Sequence, residues 1–306
     1  MTRVLVTGGA GFVGRNLAER LVNDGVDVVV LDNLSSPSPL PLPPHVEFIH
    51  GSVVDPQRID GPIDTIFNLA SPASPPRYVL DPIGTLRTGA EGTRRMLELA
   101  ETHDAVFLQA STSEIYGDPT VHPQDESYNG NVDVTSPRAC YDEAKRYAEA
   151  LIHAFRRTGA VPNVRIARIF NTYGPGMAPD DGRVVTNFVT QALAGEPLTI
   201  YGDGSQTRSF CYVDDLVEGL IRLAASEITD PVNLGNPSEL TMAEVADLVS
   251  SLIGETGRTY KELPHADPTR RRPDITKART ELGWEPAIAF GDGLERTIRY
   301  LASLDR

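Results

Sequence analysis

Several things are scarce in this chain, and each shortage removes a class of function. There are two cysteines in 306 residues. Cys140 and Cys211 make neither a C-x-x-C pair nor a disulfide framework, which reads as two small packed thiols in a reducing cytosol. The six histidines are scattered without metal-ligand spacing, so no metal is expected. Positive charge is short: 28 Lys and Arg stand against 42 Asp and Glu, a net charge of −14. That balance argues against a broad nucleic-acid or anionic-membrane surface, while leaving room for local arginines to hold a polyanionic small molecule. No apolar run approaches the ~20 residues that span a membrane. Met1-Thr2-Arg3 runs straight into a strand, so no signal peptide is expected. What is present is 40% hydrophobic residues, enough to bury one large or two modest domains.

Apolar strands alternate with helices from the start. Residues 3–7 (R-V-L-V-T) read as a buried strand, a helix follows with Leu17, Leu21 and Val22 on its apolar face, and residues 26–31 form a second strand ending at Asp32. Residues 46–49, 63–69, 106–110 and 164–169 read as further strands, and 84–103 as a helix weakened by Gly89 and Gly92. Such continuous apolar strands predict a parallel sheet covered on both faces. Between the first strand and helix, Gly8, Gly9, Gly11 and Gly14 satisfy both G-x-G-x-x-G and G-x-x-G-x-x-G. Glycine is needed there because a pyrophosphate must approach backbone N–H groups at a helix N-terminus without interference from Cβ. A strand before, a helix after and an acidic residue closing the next strand supply the context that makes the pattern specific. Asp32 would bond the adenosine ribose and repel a 2′-phosphate, which favours NAD over NADP. The proline-rich stretch 33–44 holds no regular element and reads as a surface loop beside the adenosine.

The strand 106–110 delivers Ser111, Thr112, Ser113 and Glu114 to the carboxyl end of the sheet, where ligands of open parallel sheets bind. Tyr141 and Lys145, four apart on a helix expected to run to Arg157, share a face. Alone, that pair is equally the pattern of a solvated helix face. Behind a dinucleotide fold it supplies a phenol and an ammonium for taking a proton from an alcohol. Such a base must fall from pKa ~10 towards ~7, a shift worth roughly 4 kcal/mol. Lys145 is expected to achieve this only in an enclosed site, with the positive nicotinamide helping. After 170 the texture changes to Gly/Asp/Pro-rich turns, with helices expected near 187–194, 215–225, 242–253 and 291–301. The predicted architecture is α/β, a Rossmann-type doubly wound parallel sheet with a smaller C-terminal α/β substrate domain. Residues 1–170 form the NAD-binding domain, residues 171–306 the second domain, and 212–234 return to the first.

The glycine loop, Asp32 and Tyr141-x-x-x-Lys145 resemble the extended short-chain dehydrogenase/reductases that modify nucleotide sugars, and within them the UDP-glucuronate decarboxylases. The resemblance is carried by residues 70–76 (A-S-P-A-S-P-P), 111–119 (S-T-S-E-I-Y-G-D-P), 137–143 (P-R-A-C-Y-D-E), 167–175 (A-R-I-F-N-T-Y-G-P), 181–185 (D-G-R-V-V), 195–210 (G-E-P-L-T-I-Y-G-D-G-S-Q-T-R-S-F), 271–275 (R-R-P-D-I) and 282–286 (L-G-W-E-P), nearly the whole chain. It implies Tyr141 as general base at the sugar O4, Lys145 holding it and the nicotinamide ribose, and Thr112 bonding O4. Ser113 and Glu114 match a pair beside the sugar carboxylate, and Arg271 an arginine that assists decarboxylation or reprotonation. The resemblance also implies NAD contacts from Gly8, Gly11, Phe12, Val13, Gly14, Asp32, Asn33 and Leu69. UDP would meet Asn171 and Arg208, with Val184, Val185, Asn187 and Tyr201 around it.

The implied reaction is decarboxylation of UDP-glucuronate through a 4-keto intermediate to UDP-xylose or a UDP-4-keto-pentose, in a cytoplasmic homodimer paired through the helices after Gly84 and around Tyr141. The alternatives are a 4-epimerase, in which a small or hydroxyl residue usually replaces Glu114, a 4,6-dehydratase, which usually has Asp-Glu after the threonine, and a non-catalytic NAD sensor. Four positions depart from the family: Gly89 for an asparagine, Ser52 for an aspartate near the adenine, Asn129 for a tryptophan and Gly176 for an arginine.

Overall fold

The computed structural model describes residues 1–263 and 270–304. In chain order its first half contains β1 (Arg3–Thr7), α1 (Phe12–Asn23), β2 (Asp27–Asp32), β3 (Glu47–His50), β4 (Thr65–Asn68), α2 (Pro75–Tyr78), α3 (Pro82–Arg87), a π turn (Thr88–Gly92), α4 (Thr93–His103), β5 (Val106–Thr112), a 3-10 turn (Ser113–Tyr116), α5 (Ala139–Thr158) and β6 (Val164–Ile169). The second half contains β7 (Thr172–Tyr173), α6 (Val184–Leu193), β8 (Leu198–Tyr201), β9 (Thr207–Ser209), β10 (Cys211–Tyr212), α7 (Val213–Ala225), β11 (Val232–Leu234), β12 (Glu239–Thr241), α8 (Met242–Ile253), β13 (Arg258–Lys261), β14 (Arg270–Arg271), α9 (Thr276–Leu282) and α10 (Phe290–Leu304).

Seven strands form one parallel sheet in the order β11-β6-β5-β4-β1-β2-β3. Strand periodicity explains why both faces are covered. Val4 and Val6 join one core with Val28, Val30, Phe67 and Leu108, while Leu5 joins another with Val29, Leu31, Ile66 and Phe107. The order reverses between β1 and β4, so their carboxyl ends open a crevice at the usual dinucleotide position. The expected strands 3–7 and 164–169 have those bounds, whereas 63–69 contracts to four residues because Asp64 instead accepts backbone N–H groups of Thr2 and Arg3.

The helix expected over 84–103 begins earlier, at Pro82, where Asp81 accepts the Gly84 N–H at 2.9 Å, and it changes pitch at Thr88–Gly92. The two glycines that weaken it lie where neighbours press closest. A Cβ on Gly89 would sit 2.6 Å from the Ala144 Cβ of α5, and one on Gly92 2.7 Å from a Val53 methyl. The space that an asparagine would fill at position 89 is therefore taken by Ala144.

Beyond β6, short sheets position residues that are far apart in sequence. β9 pairs antiparallel with β12 and parallel with β14, which sets Arg271 opposite Arg208. The loop before α5 fastens to the same segment: the Gln124 N–H donates to the Arg272 carbonyl at 2.9 Å, and the Asp274 N–H to the Gln124 carbonyl at 2.8 Å. α7 packs on α1, and β11 then extends the main sheet beside β6.

The Gly89 contact generates a stability prediction. Gly89→Ala should lose about 1–3 kcal/mol of unfolding free energy by overpacking, and adding Ala144→Gly should recover part of it. An unchanged urea midpoint in the single variant would contradict the packing argument.

Candidate active site

One cleft of about 1010 Å³ runs from the glycine loop, past the ends of β4 and β5, to β9 and β14. Every residue singled out above lines it: Gly8, Gly11, Phe12, Val13, Gly14, Asp32, Asn33 and Leu69 at one end, Thr112, Ser113, Glu114, Tyr141 and Lys145 in the middle, and Asn171, Val184, Val185, Asn187, Tyr201, Arg208 and Arg271 at the other.

At the first end, Gly8 has φ +67, a conformation that favours glycine, and a Cβ on Gly14 would fall against the Gly8 carbonyl oxygen. α1 thus starts hard against the loop, and its N-terminus at Gly11 carries no side-chain cap. Uncapped N–H groups facing a cleft suit a diphosphate. The Asp32 carboxylate accepts N–H groups of Ala10 at 3.0 Å and Leu34 at 2.7 Å, so it ties the glycine loop to the loop after β2 as well as facing the cleft. The proline-rich loop is anchored: the Ser38 N–H donates to the Ala10 carbonyl at 2.7 Å, and its hydroxyl to the Gly176 carbonyl at 2.8 Å. Gly176 has φ +96, and a Cβ there would lie 3.0 Å from the Asn16 amide nitrogen. The cleft wall at this departure from the family is backbone tied to a loop.

In the middle, Tyr141 and Lys145 lie one turn apart on α5, both buried. The Tyr141 ring stacks on Tyr78 with centroids 5.0 Å apart, and its hydroxyl shares a hydrogen bond with the Thr112 side chain. The site is enclosed, yet the phenol is not activated. Burial lifts its pKa above the usual value, the Thr112 bond and Arg183 oppose this, and the Glu114 and Asp142 charges add to it. Lys145 does not offset the burial, because its Nζ donates to the Ala110 carbonyl at 2.8 Å and lies 5.7 Å from the tyrosine ring centroid. Burial also lowers the lysine to about 8, with Glu149 opposing. A further positive charge in the cleft is what the phenol still requires.

Glu114 is the most heavily bonded group in the cleft. Its carboxylate accepts two hydrogen bonds from Arg271, at 2.5 and 2.8 Å, and one from Arg138 at 2.6 Å. Burial alone would raise its pKa, but the Arg271 and Arg138 charges overcome that and hold it well below the usual carboxylate range. Arg271 is buried through its pairing with β9, while Arg270 beside it is exposed. The run Arg270-Arg271-Arg272 is therefore not a solvated turn at its centre.

Sequence reasoning gave no role to Arg138, Asp142, Arg183 or Tyr78, although each stood inside or beside a quoted motif. Arg183 lies 5.5 Å from the Phe12 ring centroid and pairs with Asp181, with one contact at 2.8 Å. Asp142 is buried behind Tyr141 with Oδ1 unbonded, and the Tyr78 hydroxyl is likewise buried and unbonded. Nothing in their spacing marked them, because their neighbours come from other elements.

Residues 4–235 match the sequence model of the NAD dependent epimerase/dehydratase family. The chain belongs to that family, and its cofactor is NAD, which the glycine cradle and uncapped α1 N-terminus fit. The UDP-glucuronic acid decarboxylase 1 of Danio rerio is 51% identical over 307 residues, covering 98% of this chain and 72% of that protein. The UDP-glucuronic acid decarboxylase 4 of Arabidopsis thaliana is 50% identical over 303 residues, covering 97% and 68%. Among solved structures, a UDP-glucose 4-epimerase of Thermotoga maritima superposes with a TM-score of 0.90 at 30% identity, covering 100% of both chains. The UDP-glucuronic acid 4-epimerase of Bacillus cereus, solved with UDP-glucuronic acid and NAD, gives 0.86 at 26% identity, covering 99% of this chain and 100% of the other.

Removing the carboxylate should expose how much the cleft depends on it. Glu114→Gln leaves two clustered guanidinium groups without their counter-charge and should cost about 3–5 kcal/mol, read as a lowered urea midpoint. A variant as stable as the parent would mean that the ion cluster contributes nothing to the fold.

Proposed function

We propose that this protein is an NAD-dependent UDP-glucuronate decarboxylase that makes UDP-xylose through a 4-keto intermediate. The observation that carries the proposal is the Glu114–Arg271 pair at the sugar end of an oxidation site, joined to about 50% identity with curated decarboxylases over nearly the whole chain. A 4-epimerase needs no such pair.

Tyr141 takes the O4 proton while Thr112 bonds the same oxygen, and Lys145 orients the tyrosine and the nicotinamide ribose. When bound, NAD supplies reversible removal of the C4 hydride and the positive charge that the buried phenol lacks. Once C4 is a ketone, the C5 carboxylate is β to a carbonyl, and its loss sends an electron pair into an enolate at O4. Thr112 and Tyr141 stabilise that oxygen by hydrogen bonding. Ser113, Glu114 and Arg271 orient the carboxylate, and burial of this end limits its hydration. Arg208 and Asn171 hold the diphosphate, and Val184, Val185, Asn187 and Tyr201 border the uridine. Residues 1–170 then serve the dinucleotide, with the returning segment 212–234, and 171–306 the UDP-sugar.

The assembly we assign is a homodimer in a reducing cytoplasm. Supporting the dimer, Leu80, Ile83 and Val134 are 80%, 71% and 67% exposed on one face around α3 and the start of α5, beside an apolar groove lined by Val79, Pro82 and Leu86. Ile83→Glu should convert the dimer to monomer in light scattering; a wild-type monomer would overturn the assignment.

Incubation with UDP-glucuronate and NAD should release carbon dioxide and yield UDP-xylose by NMR. Appearance of UDP-galacturonate without carbon dioxide would sink the decarboxylase reading. Tyr141→Phe should lose about 10²–10⁴-fold in kcat while still binding NAD; full turnover in that variant would remove the tyrosine from the mechanism.

A further inference from the structure

Decarboxylation of a uronate consumes a proton, and the cleft must contain its source. This inference rests on the decarboxylase reading. The proton that Tyr141 takes from O4 returns to O4, so the one that ends on C5 comes from elsewhere. Glu114 faces the cleft but is kept ionised by three hydrogen bonds from Arg271 and Arg138. A carboxyl that carries a proton at neutral pH is needed beside it.

Asp142 has that character. It is 5% exposed, follows Tyr141 in the first turn of α5 and lies one turn beyond Arg138 on the same helix. Its Oδ1 is buried without a hydrogen-bond partner, a costly position for a carboxylate and a milder one for a neutral carboxyl. The charges acting on it are Glu114 from the 3-10 turn, Arg271 from β14, and Arg138 and Glu143 beside it in the chain. The phenols of Tyr78 on α2 and Tyr141 on α5, and the Cys140 thiol, feel its charge in turn. Burial and Glu114 outweigh the two arginines and push Asp142 up to about 7.

We propose that Asp142 stores the proton that ends on C5 and delivers it through Glu114. The bond from C5 to the carboxylate breaks, its electron pair enters the enolate and carbon dioxide leaves. The enolate then collapses onto a proton from Glu114, forming C5–H. Glu114 takes the Asp142 proton, and Asp142 reloads from solvent. Held ionised by its arginines, Glu114 is a strong acid in the instant that it is protonated, as carbon protonation requires. Asp142 positions the proton and does not itself touch the sugar.

The test compares wild type, Asp142→Asn and Asp142→Glu, each loaded with NAD, across the neutral range. Wild-type kcat should fall as pH rises through about 7, because the stored proton is lost. The Asn variant should lose at least about tenfold in kcat at neutral pH, lose that alkaline limb, and keep KM for UDP-glucuronate within about twofold. It should also accumulate bound reduced nicotinamide, seen by its near-ultraviolet absorbance, since hydride return waits for C5 protonation. The Glu variant should restore a limb at a shifted pH. A folded Asn variant with wild-type kcat and pH profile overturns the proposal. If the Asn variant fails to fold, a folded, active Glu variant whose limb has not moved does so. Wild type that releases no carbon dioxide overturns the decarboxylase reading instead.

Discussion

The cleft depends on a buried carboxylate held between two guanidinium groups contributed by distant parts of the chain. Glu114 comes from the turn after β5, Arg138 from the start of α5 and Arg271 from β14. Burying one carboxylate in an apolar wall would be prohibitive, and burying an arginine would be no easier. Together they satisfy each other, and in doing so they join the first half of the chain to the last. The arrangement also sets the electrostatics around it: Glu114 is kept ionised, Asp142 is pushed towards neutrality, and the neighbouring phenols hold their protons more tightly. A site organised this way has its negative charge in place before any substrate arrives, with arginines already gathered to receive a second carboxylate.

What the sequence made legible follows from range. The glycine loop, Asp32 and the tyrosine–lysine pair are defined by spacings of a few residues, and their geometry is set by one turn or one helix. The parallel sheet was equally readable, because double-sided burial leaves continuous apolar strands. Arg138 and Asp142 were not, although they stand within a motif that was read, since their chemistry depends on Glu114 and Arg271 approaching from other elements. The activation of Tyr141 is a sharper case. Spacing puts Lys145 on the same helix face, but only the fold reveals that its ammonium is taken up by the Ala110 carbonyl. Helix boundaries near Gly89 shifted for a similar reason: the change of pitch answers to Ala144 across the interface and to no local signal.

Behind the cleft a second polar network ties the sheet together. The Ser111 hydroxyl donates to Glu149 at 2.5 Å, Glu149 accepts two bonds from Arg168 at 3.1 and 2.8 Å, Arg168 donates to the Tyr116 hydroxyl at 3.0 Å, and that hydroxyl donates to Asn233 at 2.8 Å. Each member is buried and bonded, which is the condition under which such a network stiffens a structure. It connects β5, α5, β6 and β11 directly beneath Lys145 and the 3-10 turn. Catalytic groups mounted on that frame have little freedom to drift.

The pairing of β14 with β9 has one further consequence. Arg271 sits opposite Arg208 in a two-residue ladder, and it is the middle of three successive arginines. Side chains on a strand alternate between faces, so a slip of one residue normally exchanges a functional group for an unrelated one. Here a slip in either direction delivers Arg270 or Arg272 to the same point. The triplet works as a spare-part register: length changes in the chain leading to β14 can be absorbed without losing the guanidinium that the cleft requires.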